Sequence, residues 1–307
     1  MPPFDFDGVD RYRRGMGKGA PVARAIIGVI GGSGLYDLPG LTGVRRERIG
    51  TPFGEPSDEY LLGKLGEQEV VFLPRHGKGH RFSPTEVNAR ANVFGMKQLG
   101  VTRLVSVSAV GSMREEIAPG DLVLVDQFID RTVARPRSFF GGGIVAHVAF
   151  SDPVCPQLHA HLREAVRATG AKAHGKGTYV CIEGPQFSTR AESFLYRSWG
   201  VDVIGMTAMP EARLAREAQI CYATLALATD YDCWREGHDA VTVQEVIATM
   251  QRNVSAAREA VRIAAQRGDV LAERSCGCGR ALEHAVMTAR EAIPPETRER
   301  LKLLLGG

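Results

Sequence analysis

The residues best suited to chemistry in this chain stand at the ends of short apolar runs. Gly31-Gly32-Ser33-Gly34 follows the run closed by Ile30. There the N–H groups of a glycine-rich turn can face an anion, and the Ser33 hydroxyl adds a donor. Taken alone, the same residues also suit a plain tight turn that needs glycine conformations. They do not make a dinucleotide fingerprint, because counting from Gly32 the third glycine position of G-x-G-x-x-G holds Asp37. Arg75-His76-Gly77 follows the run Val70 to Leu73. A guanidinium fork matches a tetrahedral oxyanion better than a lysine does, although Arg75 could equally form a structural ion pair and His76 a satisfied hydrogen bond. Ser106-Val107-Ser108-Ala109-Val110-Gly111-Ser112 and Met206-Thr207 end two further runs with hydroxyls and glycine. Several strand ends thus offer anion donors with neither a basic run nor a Walker lysine. That pattern points to a small anion such as inorganic phosphate, not a nucleoside triphosphate.

Thr229-Asp230-Tyr231-Asp232 ends the apolar run Cys221 to Ala228, so two carboxylates emerge two residues apart. A carboxylate there can accept from the exocyclic amine of a base, or, with its pKa raised by burial, protonate a ring nitrogen. Glycosidase-like use is disfavoured, since side chains at i and i+2 do not readily flank a scissile bond. A helix cap or turn is the plainer alternative. Glu183-Gly184-Pro185-Gln186-Phe187-Ser188 reads as a rigid loop whose aromatic either stacks on a planar ring or plugs the core.

The elements that must hold these residues form an α/β pattern. Ala25 to Ile30, Glu69 to Leu73, Leu104 to Ala109, Leu122 to Asp126, Tyr179 to Ile182, Val201 to Ile204 and Cys221 to Ala228 read as buried, largely parallel strands. Helix starts are marked by the capping boxes Ser83-Pro84-Thr85-Glu86, Thr189-x-x-Glu192 and Thr242-x-x-Glu245, and by Pro210-Glu211 and Pro295-Glu296. The third box opens a long helix with Val243, Val246, Ile247 and Met250 on one face. No internal linker divides the pattern. The expected organisation is a flexible tail over residues 1–24 and a single domain over 25–307, with a helical carboxy-terminal appendage from about residue 275.

Composition narrows the function. The 307 residues are 44% hydrophobic and 24% charged, an ordinary globular balance, with 38 Lys plus Arg against 35 Asp plus Glu. A net charge of +3 with no block of like charges argues against nucleic acid as a partner. The apolar runs fall far short of the roughly 18 residues that span a bilayer, and the amino terminus lacks the apolar core of a secretory signal, so a cytoplasmic location is expected. Cys155, Cys181, Cys221, Cys233, Cys276 and Cys278 show no zinc-type spacing, so no metal is expected. The Cys276-Gly277-Cys278 pair forms either a strained disulfide or a reduced pair in a surface loop.

The segments GVIGGSGLYD, PRHGKGH, VSAVGSMREEIAPGDLVLVDQFIDRT, IEGPQFSTRAESFLYRSWGVDVIGMT and ATDYDCW resemble those of the trimeric purine nucleoside phosphorylase family, in its branch that cleaves 5'-methylthioadenosine, from about Ala25 to Ala264. The resemblance implies an α/β, phosphorylase/hydrolase-like fold: a mixed central β-sheet curling into a barrel flanked by helices, assembled as a homotrimer with active sites near subunit contacts. It implies phosphorolysis of the nucleoside to adenine and 5-methylthioribose 1-phosphate, with inorganic phosphate as co-substrate and no metal or organic cofactor. Carried over by position, Ser33, Arg75, His76, Ser108, Ala109 (through its backbone) and Thr207 would hold phosphate. Ser33 and Ser108 stand where many members have Thr. Met206 would lie under the ribose, Phe187 against the purine, and Asp230, Tyr231 and Asp232 at the base edge, with Asp230 assisting protonation near N7. Asp230 favours a 6-aminopurine, since the 6-oxopurine relatives use Asn there. Val243, Val246 and Ile247 would offer an apolar surface to the methylthio group, beside Ser188 and with His147 supplied by a neighbouring subunit. Relatives that bind a 5'-hydroxyl carry His at the position of Val243. Three rivals remain: a phosphorylase of 6-oxopurine nucleosides or methylthioinosine, a non-catalytic nucleoside-binding module, and a hydrolase.

Overall fold

The structure, a computed structural model, describes residues 26–32, 34–35, 38–235, 243–267 and 273–306. The expected tail, Ser33 and Thr242 lie outside these residues. The organising element is β5 (Val101–Ser112), twelve residues that are almost continuously buried. A strand covered on both faces by helices reads in this way, without polar alternation.

On one edge β5 pairs in parallel with β11 (Cys221–Asp230) along nearly its whole length. On its other edge it pairs in parallel with β1 (Ile26–Gly31), then antiparallel with β10 (Val203–Gly205) at Gly111 and Ser112. From β10 the sheet runs in parallel to β9 (Thr178–Cys181) and on to β7 (Gln127–Asp130). Asp126 alone separates β7 from β6 (Leu122–Val125), which pairs antiparallel with β11. The circuit therefore returns to β5, and the sheet closes on itself as the expected barrel. The short β8 (Ala173–His174) adds to β6. Beyond β1 the sheet continues through β4 (Gln68–Pro74), in parallel, to the antiparallel β3 (Tyr60–Leu65) and β2 (Leu41–Glu47). The sheet is thus mixed, with its parallel part at the centre.

Two apolar layers cover it. One gathers α1 (Ala89–Gln98), α4 (Ala208–Glu217) and α6 (Pro295–Leu305) through residues such as Val93, Leu214 and Leu301; the other gathers α2 (Pro156–Ala168) and α5 (Val243–Gln266) through Leu158, Leu162, Ala257 and Val261. The Thr189 capping box forms as expected at α3 (Arg190–Ser198), with both reciprocal bonds present. The first box does not start a helix. Ser83 and Glu86 bond to each other within a turn, and α1 begins at Ala89, capped by the Asn88 side chain on the Ala91 N–H at 3.1 Å. Helix α4 runs regularly only from Pro210, because Met209 is extended, which agrees with the Pro210-Glu211 start.

Residues 273–306 lie across this body in two short 3-10 turns, Gly277–Arg280 and Arg290–Ala292, and α6. Cys276 and Cys278 are not bonded to each other, and Cys278 is buried in the layer beneath α2 and not displayed on a surface loop. Among the described residues no helix is long and apolar enough to cross a membrane.

Candidate active site

The sheet register brings most of the nominated residues to the carboxyl ends of β1, β4, β5, β10 and β11, the edge at which open and closed α/β sheets bind ligands. Gly31 at the end of β1 pairs with Pro74, and the Arg75 N–H donates to the Gly31 carbonyl at 2.9 Å. The turn at Gly32 and Gly34 therefore lies against Arg75 and His76. It is also pinned to α5, since Arg258 Nε donates to the Gly34 carbonyl.

Arg75 is 3% exposed and largely committed to the protein. Nε bonds Glu211 Oε1 at 2.5 Å and Nη2 bonds Glu211 Oε2 at 3.2 Å; Nη2 also reaches Ser106 Oγ at 2.8 Å, and Nη1 reaches the Val107 carbonyl at 2.9 Å. Burial opposes its charge, but the Glu211 carboxylate outweighs that and holds the guanidinium pKa above its ordinary value. The structural reading of Arg75, an ion pair, is therefore realised, and a neighbouring anion sees an ion pair more than a free cation.

His76 donates Nδ1–H to the Phe82 carbonyl at 2.8 Å, because a carbonyl can only accept. Burial, then the charge of Arg75, pulls its pKa down to about 4. At neutral pH the ring is uncharged and Nε2 carries a lone pair. Such a nitrogen can accept a hydrogen bond from the P–OH of a monohydrogen phosphate.

The hydroxyl oxygens of Ser108, in β5, and Thr207, after β10, are buried and make no hydrogen bond. Thr207 occupies the amino-terminal cap position of α4, yet its side chain caps nothing. Both sit close to the buried Tyr179 hydroxyl, whose pKa burial raises to about 12. Thr207 and Arg75 line one small cleft, together with Arg135, Glu211 and Met209. Ala109 follows Ser108 opposite Leu227 of β11.

At the other side of β5, Asp230 pairs with Gly111. Its Oδ2 accepts from the Thr229 hydroxyl at 2.6 Å and its Oδ1 from the Asp232 N–H at 2.8 Å. Burial pushes the Asp232 pKa upward, and its carboxylate accepts from the Ser193 hydroxyl of α3. Tyr231 packs edge-on to Trp234 and reaches the Glu115 carbonyl at 3.4 Å. Ser188 joins this edge through its carbonyl, which accepts from Cys233 Sγ at 3.4 Å, and its own hydroxyl is buried without a partner. Phe187 beside it is 50% exposed, which rules out the reading as a core plug.

Four functional supports escape the sequence reading. Arg135 donates to the carbonyls of Met206 and Met209 at 2.6 and 2.9 Å and to that of Glu183 at 2.6 Å, so it ties the Glu183–Ser188 loop to the Met206-Thr207 corner. Glu183 accepts from Thr85 at 2.5 Å, from the N–H groups of Val133 and Ala134, and from Arg135; burial works against the carboxylate, but these bonds bring its pKa down to about 2. Gly184 takes φ +68° and leaves the room that Met206 fills, since a Cβ there would lie 2.5 Å from Met206 Sδ. Glu211 is the fourth.

One nominated residue is not brought in. His147 is exposed on a loop whose backbone bonds the carboxy-terminal segment, at the Ala285 carbonyl. Val243, Val246 and Ile247 fall on the first turns of α5, and their side chains lie outside the described residues, as does Ser33. Among the described residues of this edge, no three His, Cys, Asp or Glu side chains converge as metal ligands would.

Residues 26–265 match the phosphorylase superfamily. The chain is 60% identical to the S-methyl-5'-thioadenosine phosphorylase of Geobacter sulfurreducens over 92% of its length and 98% of the relative's, and 55% identical to that of Koribacter versatilis over 92% and 96%. A crystal structure of methylthioadenosine phosphorylase from an Antarctic soil metagenomic library superposes with a TM-score of 0.87 at 48% identity, covering 92% of this chain and 99% of that one. A mutant of the Schistosoma mansoni adenosine/methylthioadenosine phosphorylase in complex with methylthioadenosine superposes at 0.76 with 34% identity, covering 92% and 98%.

Proposed function

The chain belongs to the phosphorylase superfamily, and on that premise we propose that it is a pentosyltransferase that catalyses the reversible phosphorolysis of 5'-methylthioadenosine to adenine and 5-methylthioribose 1-phosphate. The observation that carries the phosphate half of this reading is the pair of buried hydroxyls without partners, Ser108 and Thr207, both close to Tyr179, with Thr207 lining one cleft together with Arg75. Each orphaned hydroxyl costs about 1–3 kcal/mol, and an oxyanion seated between them would remove that cost. Ser33, the Ala109 N–H and His76 Nε2 complete the cradle, the imidazole accepting a hydrogen bond from the P–OH of the dianion.

Bond cleavage develops positive charge on the ribose and negative charge on the purine. Phosphate beneath C1' answers the first. Asp230 answers the second through a hydrogen bond to N7 as the base departs, while it also accepts from the 6-amino group. Its two internal bonds, from Thr229 and the Asp232 N–H, fix that carboxyl in place. Met206 supports the sugar, Phe187 covers the purine, and Tyr231, Asp232 and Ser188 shape the base edge. The start of α5, with Val243, Val246 and Ile247, takes the methylthio group.

In this reading the enzyme works in the cytoplasm in purine and methionine salvage, without metal or organic cofactor in the reaction itself. It acts as a homotrimer in which a neighbouring copy supplies His147. The exposed apolar side chains Phe194 and Leu195 of α3 and Trp199 just after it, with Val133 at 78% exposure, offer a surface suited to such self-association. A substrate panel tests specificity: methylthioadenosine should be cleaved faster than adenosine, and both far faster than inosine. Fastest turnover of inosine would instead support the 6-oxopurine alternative.

A further inference from the structure

Cysteines from three distant parts of the chain meet at the base of the carboxy-terminal segment. Cys155 caps the amino terminus of α2, accepting from the Leu158 N–H at 3.5 Å. Cys221 opens β11, and Cys276 and Cys278 flank Gly277 at the first 3-10 turn. Their four sulfurs all lie within 4.8 Å of one another, with Cys221 and Cys276 3.3 Å apart, and all four cysteines are free. Three are buried and Cys276 is half-buried.

We propose that Cys155, Cys221, Cys276 and Cys278 form a tetrahedral four-thiolate zinc site that fastens residues 273–306 to the barrel. Zn–S bonds of about 2.3 Å place the sulfurs of a regular tetrahedron about 3.8 Å apart. The observed separations bracket that value, so sub-ångström shifts complete the site. An all-sulfur tetrahedral set selects zinc over harder cations. Zinc with four thiolates carries a net charge of about −2, and two guanidinium groups stand against it. Arg274 Nη2 lies 3.5 Å from Cys221 Sγ, and its Nε is buried without a hydrogen-bond partner; Arg103, 1% exposed, acts on the same sulfur. Loading is an exchange of protons for metal with no redox change: Zn²⁺ enters, four Zn–S bonds form, and the thiol protons leave to solvent. The ligands come as C-x-C plus two distant cysteines, which is why spacing alone argues against a metal here.

The site has a consequence for the loop around residue 147. The segment that it anchors bonds that loop through Met287 N–H to the Val145 carbonyl at 2.9 Å and through the His147 N–H to the Ala285 carbonyl at 2.8 Å. Zinc would thereby hold in register the strap that carries His147.

The test uses the full chain purified under reducing conditions without chelator, loaded with zinc and desalted. About one zinc per chain is expected by elemental analysis, released by a mercurial thiol reagent. Cobalt in its place should give the visible and near-ultraviolet bands of tetrahedral cobalt thiolate. Cys278→Ser should lose the metal while Cys233→Ser, outside the cluster, keeps it. The cobalt spectrum of the unaltered chain decides the matter even where Cys278→Ser fails to fold. Reduced, folded chain that retains less than about 0.1 zinc after loading would overturn the proposal. So would an intact mass showing disulfides among these cysteines, if the protein takes up no metal once they are reduced.

Discussion

Replacing Thr207 with valine separates a phosphate ligand from a structural hydroxyl, because the structure gives the two roles opposite signs. Valine keeps the branched shape and removes only the oxygen. In the free protein that oxygen is buried, unpaired and caps no helix N–H, so its loss should leave stability unchanged or raise it by up to about 1–3 kcal/mol, the desolvation cost of an orphaned polar group. With phosphate bound, the same oxygen donates to a charged acceptor, worth about 1.5–3 kcal/mol. At about 1.4 kcal/mol per decade, the variant should bind phosphate about 10- to 150-fold more weakly. Two assays read these effects independently: Tm with and without phosphate, and the phosphate KM at saturating nucleoside. The expected result is a Tm at or above that of the parent without phosphate, a much smaller rise on adding phosphate, and a raised phosphate KM. A Tm several degrees lower without phosphate, with the phosphate-induced rise intact, would refute the reasoning and make Thr207 a structural residue.

Other outcomes follow from the same geometry. Glu211→Ala leaves the Arg75 guanidinium buried without its carboxylate, and urea denaturation should show a loss of about 3–5 kcal/mol; a loss below about 1 kcal/mol would mean that Arg75 finds another partner. Because the His76 pKa falls to about 4 in the folded chain against about 6.5 when unfolded, only the unfolded state gains a proton between those values, so this contribution is present above pH 6.5 and is lost as pH drops toward 4. The urea midpoint should fall more steeply over that window for the parent than for His76→Gln, and parallel slopes would show that the imidazole plays no part. Asp230→Ala should lower kcat for methylthioadenosine by about 100- to 10,000-fold with little change in Tm; near-normal turnover would remove Asp230 from the chemistry.

The strand ends were legible in the sequence because each couples a short apolar run to a change in residue type: Val70–Leu73 to Arg75, Cys221–Ala228 to Asp230. What could not be read was whatever depends on distant partners. Nothing local to Arg75 announces Glu211, 136 positions away, and Arg135 acts through carbonyls that any residue could have supplied. The edge strand β2 escaped notice because it is exposed and charged, LTGVRRE, and owes its conformation to pairing with β3. The Ser83 box misled for the converse reason. Its side-chain bonds form as the motif requires, but Asn88, five residues on, holds the cap that starts α1. The four clustered cysteines belong to the same class, since only the packing of α2, β11 and the carboxy-terminal segment brings them together.

The central claim is that phosphate, and not water, receives the sugar. Phosphorus NMR of a reaction containing methylthioadenosine and inorganic phosphate tests it directly. A new sugar-phosphate resonance should grow in step with adenine, and no adenine should form when phosphate is left out. Adenine released at the same rate without phosphate, with free 5-methylthioribose as the other product, would contradict it.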